Sequence, residues 1–479
     1  MSDDIGRTAF GVQAGIGFVG KVATAVVGFF GSIFLARALG PSDYGLFYVA
    51  IGVANFFENP ANGWAAACKK RLTEPDFDVS EAVGSVFVVV IALAVVGVPV
   101  SYGILNVVTT NEILPLAVPL LFVPLATYRA FTTVLSGRAN FALAEWALVA
   151  NTTLKIVFQV AFVVLGFGIW GMVGGVAAGA LLILPLVYRW IGVRPSIPSK
   201  DSLRSVARFS KWSIPRGFVG TGLSQMDVIL LGWLAAAGAA GHYQVALKIS
   251  MPAVFVSSAI DSGLMARISN LETRGYEWHD DFRNALSMGS ILAVPIFVGS
   301  LVMAEEIIVT AFSGQYAGAG AFLVGLALYR LLVTQTSARG AVLGGLDRPD
   351  IGFWISLAEL LINVALGLGL WYVYGPIGIV AATVLTQAFS YTAQTLVVRR
   401  LANVETVVTR PFLEQLGAGV AMGVVIWLAK RLYGLGEWYT VVALIGLGGV
   451  VYFVVLLAVS SYLRETVRGI LEDFAATYV

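Results

Sequence analysis

An all-α polytopic membrane protein is the fold class this sequence predicts, and three observations carry that prediction. Apolar runs long enough to cross roughly 30 Å of hydrocarbon recur from one end of the 479-residue chain to the other. Charged residues make up only 12% of the chain, against about 25% in ordinary soluble proteins, so too little polar surface is available to clothe a soluble fold. Short motifs also recur at an offset near 200 residues, which points to an internal repeat of helices.

The apolar runs predict fourteen transmembrane helices. The first two occupy 12-35 and 44-66, on either side of Gly40-Pro41, where glycine admits unusual dihedrals and proline disfavours continuation. The next four occupy 84-106, 113-136, 145-166 and 169-189. Four more follow at 212-234, which carries Arg216 and Asp227, then 241-264, 285-304 and 317-342. The remaining spans are 352-371, 375-397, 412-430 and 438-460.

An even number of spans puts both termini on one side. Loops on that side hold most of the basic residues, among them Lys69, Lys70, Arg71, Arg194, Arg204, Arg339 and Arg348. The opposite side holds only Arg37, Lys430 and Arg431, so the positive-inside rule makes both termini cytoplasmic, and the cell (plasma) membrane is the expected location. Cys68 is the one cysteine, which excludes an intramolecular disulfide. His242 and His279 form no local metal motif, and no metal site or cofactor is expected. No phosphate-binding loop or other enzyme signature appears, and nothing suggests a nucleic-acid partner.

The stretch "LARALGPSDYGLFYVA" (35-50) lies against "LGWLAAAGAAGHYQVA" (231-246), and "WGMVGGVAA" from Trp170 against "YGPIGIVAA" from Tyr374. Tyr128-Arg129 and Tyr329-Arg330 keep a similar offset. An offset of six helices returns the chain in the same orientation, so the repeats are parallel. The expected architecture is two six-helix lobes around a central cavity, plus two C-terminal helices. The boundaries are 1-195 for the N-lobe, 196-400 for the C-lobe with a basic interfacial linker at 196-211, and 401-479 for the last two helices and a tail. Within the linker, "RSVARFSKW" (204-212) reads as an amphipathic helix on the anionic inner leaflet.

Ionisable groups inside spans usually face a cavity or a partner. Lys21 lies 14 residues from Leu35, and Glu58 lies 14 from Tyr44, which places both about 21 Å below the outer edge. Asn55 and Asn59 lie near that depth. Asp227 and Lys248 fall about 10 Å deep, while Arg216 and Asp261 fall near the inner ends of their helices. The plainer reading pairs Lys21 with Glu58 and Asp227 with Lys248 to neutralise charge in a low dielectric. The sharper reading is a hydrated cavity whose cations meet an anionic substrate. Arg129 is expected to snorkel toward the basic inner face, and Arg330 and Glu359 to pair. Arg37 and Asp43 border the outer turn, where they can pair when an outer gate is shut.

"FLARALGPSDYGLF" in the first hairpin resembles the signature of the polysaccharide-biosynthesis, or Wzx-like, lipid-linked oligosaccharide flippases. That branch belongs to the multidrug/oligosaccharidyl-lipid/polysaccharide exporter superfamily. "AVLGGLDRPDIGFWISLAELLINVALGLGLWYVYGPIGIVAATVLTQ" (341-387) resembles a second signature, with Asp347-Arg348-Pro349 in the loop and Asn363 in the helix. The resemblance runs from about residue 7 to 460. It implies alternating-access flipping of an isoprenoid (di)phosphate-linked oligosaccharide from the cytoplasmic to the outer leaflet, for cell-surface glycan or glycoprotein biosynthesis. The partners implied are that substrate, membrane lipids, and glycosyltransferases or a glycan polymerase/ligase. Carried over by position, substrate binding falls to Lys21, Arg37, Asn55, Asn59, Arg216 and Lys248. Glu58, Asp227 and Asp261 are candidates for H+ or Na+ coupling or for gating. Fewer arginines stand in the first helices than in the lipid II branch, which argues for another glycan carrier. Two alternatives remain open: a cation-coupled multidrug or small-molecule exporter of the same superfamily, and a non-transporting scaffold for glycan assembly.

Overall fold

The computed structural model describes residues 2–74, 77–138, 140–402, 408–433, 437–466 and 468–469, with side chains from residue 26 onward except 141, 262 and 433. Helices dominate: α1 (Ser2–Arg71), α2 (Val79–Ala92), α3 (Val98–Val108), α4 (Leu114–Gly137), α5 (Phe141–Val164), α6 (Gly168–Ile191), α7 (Lys200–Leu234) and α8 (Ala237–Ser250). They continue with α9 (Phe255–Thr273), α10 (His279–Gly289), α11 (Ala293–Ala311), α12 (Gly320–Gly345), α13 (Pro349–Tyr374), α14 (Pro376–Ala402), α15 (Arg410–Tyr433) and α16 (Trp438–Val459). Each expected span falls on helix, and among the described residues eleven stretches meet the length and hydropathy of a membrane crossing. The protein is an all-α, multi-pass membrane protein.

Local chemistry explains the interruptions. Gly40 adopts φ 75°, a left-handed conformation that breaks α1 into two arms immediately before Pro41. A π turn at Leu93–Gly97 joins α2 to α3, so the third expected span is one interrupted helix. The eighth is interrupted likewise, by a 3₁₀ turn at Met251–Val254 between α8 and α9. Residues 200–211 are the first turns of α7, continuous with the seventh span, and Val206 and Ser210 among them are buried.

Two compact units divide the chain, Met1–Gly241 and His242–Val479. The first of them includes α7. There the second arm of α1 runs antiparallel to α7. A Cβ on Gly52 would lie 3.2 Å from Ile229, and one on Gly63 2.5 Å from Ile214. At the turn after α7 the approach is tighter still. A Cβ on Gly45 would lie 1.9 Å from the carbonyl oxygen of Ala237, and one on Gly241 would lie 2.1 Å from that of Pro41. Gly171, Gly175 and Gly179, one per turn of α6, let that helix approach the backbone of α5 at Phe162, Gln159 and Lys155. Such small-residue stripes substitute close van der Waals packing for the hydrophobic drive that lipid removes.

In the second unit Gly419 and Gly423 play the same part, seating α15 on Val294 and Val298 of α11. Met303 departs from helical geometry (φ −136°) and breaks α11. Lys430 of α15 answers the break: its Nζ donates to the carbonyl of Val302 at 3.1 Å and forms an ion pair with Glu306. A backbone acceptor released by the break is thereby satisfied from the neighbouring helix.

Candidate functional site: a buried polar cluster in the first unit

Where α4, α7 and the second arm of α1 meet, the apolar packing gives way to polar side chains. Glu58 is 1% exposed, and its carboxylate forms an ion pair with Arg129 of α4. Arg129 Nη1 also donates to Asn55 Oδ1 at 3.2 Å, one turn earlier on the same arm as Glu58. Asn59 Nδ2 donates to Thr221 Oγ1 at 3.0 Å, which fastens the arm to α7. Asn62 faces the Glu58 carboxylate from one turn further along. Glu58 Oε2 and Asn62 Oδ1 are buried acceptors with no hydrogen-bonded partner among the described residues.

Helical periodicity assembles this cluster. Asn55, Glu58, Asn59 and Asn62 recur at three- and four-residue spacing, so they form one polar stripe on an otherwise apolar arm. The rest of the arm packs conventionally, with Phe57 stacked 5.7 Å from Phe122. Arg129 differs from its partner in one respect that matters for chemistry: its side chain is 44% exposed while that of Glu58 is 2% exposed. The cation thus has one side held by buried acceptors and another side accessible.

Asn55, Glu58 and Asn59 belong to this cluster. Arg216 lies on α7 next to Gly217, whose absent Cβ would stand 3.0 Å from Asn59 Oδ1, but its own side chain is exposed. Asp227 is buried further along α7, and Arg37 is exposed three residues before the Gly40 break. Lys248 and Asp261 belong to the second unit, where Ser337 lies within hydrogen-bonding reach of the Asp261 carboxyl. The side chain of Lys21, and with it the expected Lys21–Glu58 pair, lies outside the described residues.

Three expectations are corrected. Arg129 does not snorkel to the inner face; a buried carboxylate within reach holds it inside the bundle. Glu359 accepts from Ser390 Oγ of α14 at 3.0 Å, while the Arg330 guanidinium lies 5.3 Å from the Tyr329 ring, so the side chains expected to pair face other partners. Arg339, counted with the basic loop residues although it falls within the expected span 317-342, lies inside α12, 1% exposed, donating to the carbonyl of Gln335 and lying 4.5 Å over the ring of Tyr391. Arg129 was detectable as a charge sixteen residues into a span of twenty-four, but its partner is 71 residues away and leaves no local signal.

Beside Arg339 the second unit carries a seam of neutral hydrogen bonds, Gln387 Nε2 to Thr336 Oγ1 at 2.8 Å and Asn363 Nδ2 to Thr383 Oγ1 at 3.4 Å. No group of three His, Cys, Asp or Glu side chains among the described residues is placed to hold a metal ion.

A polytopic helical bundle with polar groups buried inside its spans is an architecture suited to moving polar cargo through a membrane. The sequence pattern of the polysaccharide biosynthesis protein family matches residues 34–320, more than half of the chain, and the chain belongs to that family. It is 24% identical over 483 residues to the probable flippase AglR of Haloferax volcanii, covering 97% of both chains. It is likewise 24% identical over 387 residues to the probable low-salt glycan biosynthesis flippase Agl15 of the same organism, covering 78% of this chain and 79% of that one. The fold is that of the lipid II flippase MurJ in its inward closed conformation, with a TM-score of 0.79 at 15% identity over 94% of this chain and 99% of that chain. The chain is therefore a transporter of that family rather than an enzyme.

Proposed function

We propose that this transporter flips an isoprenoid (di)phosphate-linked oligosaccharide from the cytoplasmic to the outer leaflet. The observation that carries the reading is the buried Glu58–Arg129–Asn55 cluster, in a chain whose relatives include two probable flippases. A charged glycan head faces a prohibitive barrier in hydrocarbon, and a polar interior exposed first to one leaflet and then to the other avoids it. The isoprenoid tail stays in lipid throughout.

Fourteen crossings with both termini in the cytoplasm, and two six-helix lobes that rock about the polar interior, complete the proposal. Arg216, Lys248 and Lys21 supply further positive charge for the phosphate, Asn55 and Asn59 hydrogen-bond the head, and Arg37 meets it at the outer rim. Glu58, Asp227 and Asp261 are the candidate sites at which an H+ or Na+ gradient drives net flow. The mixed charge disfavours a small-cation exporter, which calls for a cavity dominated by carboxylates.

The test uses purified protein in proteoliposomes with a fluorescent isoprenoid-diphosphate-linked sugar, measuring how fast the label becomes accessible to an impermeant quencher. Protein-dependent exchange of that lipid, with no transport of a cationic dye, supports the reading. Dye transport without lipid exchange overturns it.

A further inference from the structure

Arg129 is the one residue of the cluster that combines a buried ion pair with an accessible surface. Its guanidinium is planar and forked, the geometry that grips carboxylates and phosphates alike. In this structure one nitrogen of the fork, Nη1, is engaged by protein acceptors, Glu58 Oε1 and Asn55 Oδ1, both on one stripe of α1. The carboxylate is shut away from solvent, since Glu58 is 1% exposed, while the Arg129 side chain remains 44% exposed. The cation, and not its carboxylate, is therefore the accessible member of the pair.

We propose that Glu58 is an internal stand-in for the substrate's phosphate: it holds Arg129 while the site is empty, and an anionic lipid headgroup takes the guanidinium over in competition with it. The inference rests on the flippase reading and adds a regulation to it. A carboxylate offers one planar pair of oxygens, whereas a phosphate offers three or more, so the incoming group can engage the exposed edge of Arg129 before the Glu58 bond is released. The empty protein thereby avoids leaving an unpaired arginine in a low-dielectric interior. The cost is weaker apparent affinity, because every binding event must displace an internal anion. Asn55 and the Asn59–Thr221 link keep the stripe in place while the exchange occurs.

Competition predicts a gain of affinity when the competitor is neutralised, which a purely structural ion pair does not. The experiment measures binding of a fluorescent polyprenyl monophosphate to the full-length protein in nanodiscs, with the corresponding polyprenyl alcohol as the control. Glu58→Gln keeps the shape of the side chain and removes its charge, and it should tighten phosphate binding about ten-fold without changing binding of the alcohol. Glu58→Asp withdraws the charge by one methylene and should shift affinity in the same direction by less, which preserves the test should the Gln variant fold poorly. Arg129→Lys should weaken phosphate binding. Unchanged or weakened phosphate binding in the folded Glu58 variants overturns the inference while leaving the flippase reading standing. Wild-type protein that binds the alcohol and the phosphate equally overturns the flippase reading itself.

Discussion

The two compact units bury arginine in different ways. In the first, Arg129 neutralises a buried carboxylate across helices and keeps almost half of its side chain exposed. In the second, Arg339 is 1% exposed and rests on the Tyr391 ring and a carbonyl of its own helix. The first arrangement is a bond between two charges in which one charge remains reachable, so a competing ion can exchange into it. The second is enclosed on all sides by protein and holds its cation by an aromatic face and a local acceptor. The difference leaves one arginine open to exchange and closes the other into the packing of α12 and α14.

Removing one partner of each arrangement gives the largest contrast. Arg129→Met strands a buried carboxylate and should lower stability by about 3 kcal/mol, at the lower end for a broken buried pair because Arg129 is itself partly exposed. Adding Glu58→Gln should recover most of that loss, and thermal unfolding in detergent reads both changes. Arg339→Met, which keeps the stem and loses the contacts with Tyr391 and the Gln335 carbonyl, should cost about 1–2 kcal/mol by the same measurement. Equal losses at the two sites would erase the distinction.

Backbone approach gives a comparable effect in the first unit. Gly45→Ala places a methyl 1.9 Å from the Ala237 carbonyl oxygen, so the turn after α7 must shift away, at about 1–3 kcal/mol. Gly28→Ala, where nothing lies within 4 Å of the added carbon, should be neutral or slightly stabilising. The smallest expected effect is at Lys430. Its ion pair with Glu306 is about one-third exposed, so Lys430→Met should cost about 1 kcal/mol, and limited proteolysis of the α15–α16 pair should report it.

Much of this was legible in the sequence for a simple reason. Crossing hydrocarbon requires about twenty apolar residues, so helix positions are written locally. The break at Gly40-Pro41 was equally local, since glycine and proline act through their own dihedrals. Partnership was not. Glu58 and Asn55 stood out as buried polar groups, yet their shared ligand Arg129 comes from a helix distant in sequence, and a basic residue toward one end of a span reads as a snorkelling one. Arg339 failed for a related reason: counting basic residues into cytoplasmic loops hides one that a tyrosine on α14 draws inside. The close approach of α1 to α7 at Gly52 and Gly63 is likewise a contact between distant segments, which no local pattern records.

The most direct measurement compares Arg129→Lys with Arg339→Lys in the same proteoliposome assay, using a fluorescent isoprenoid-diphosphate-linked sugar and equal amounts of folded protein. Lysine keeps the charge at both sites but loses the forked grip that phosphate recognition uses. Flipping should fall by at least about ten-fold in Arg129→Lys and stay within about two-fold of wild type in Arg339→Lys. Full activity in Arg129→Lys, or a loss confined to Arg339→Lys, would contradict the assignment of the first unit's cluster as the place where the headgroup is recognised.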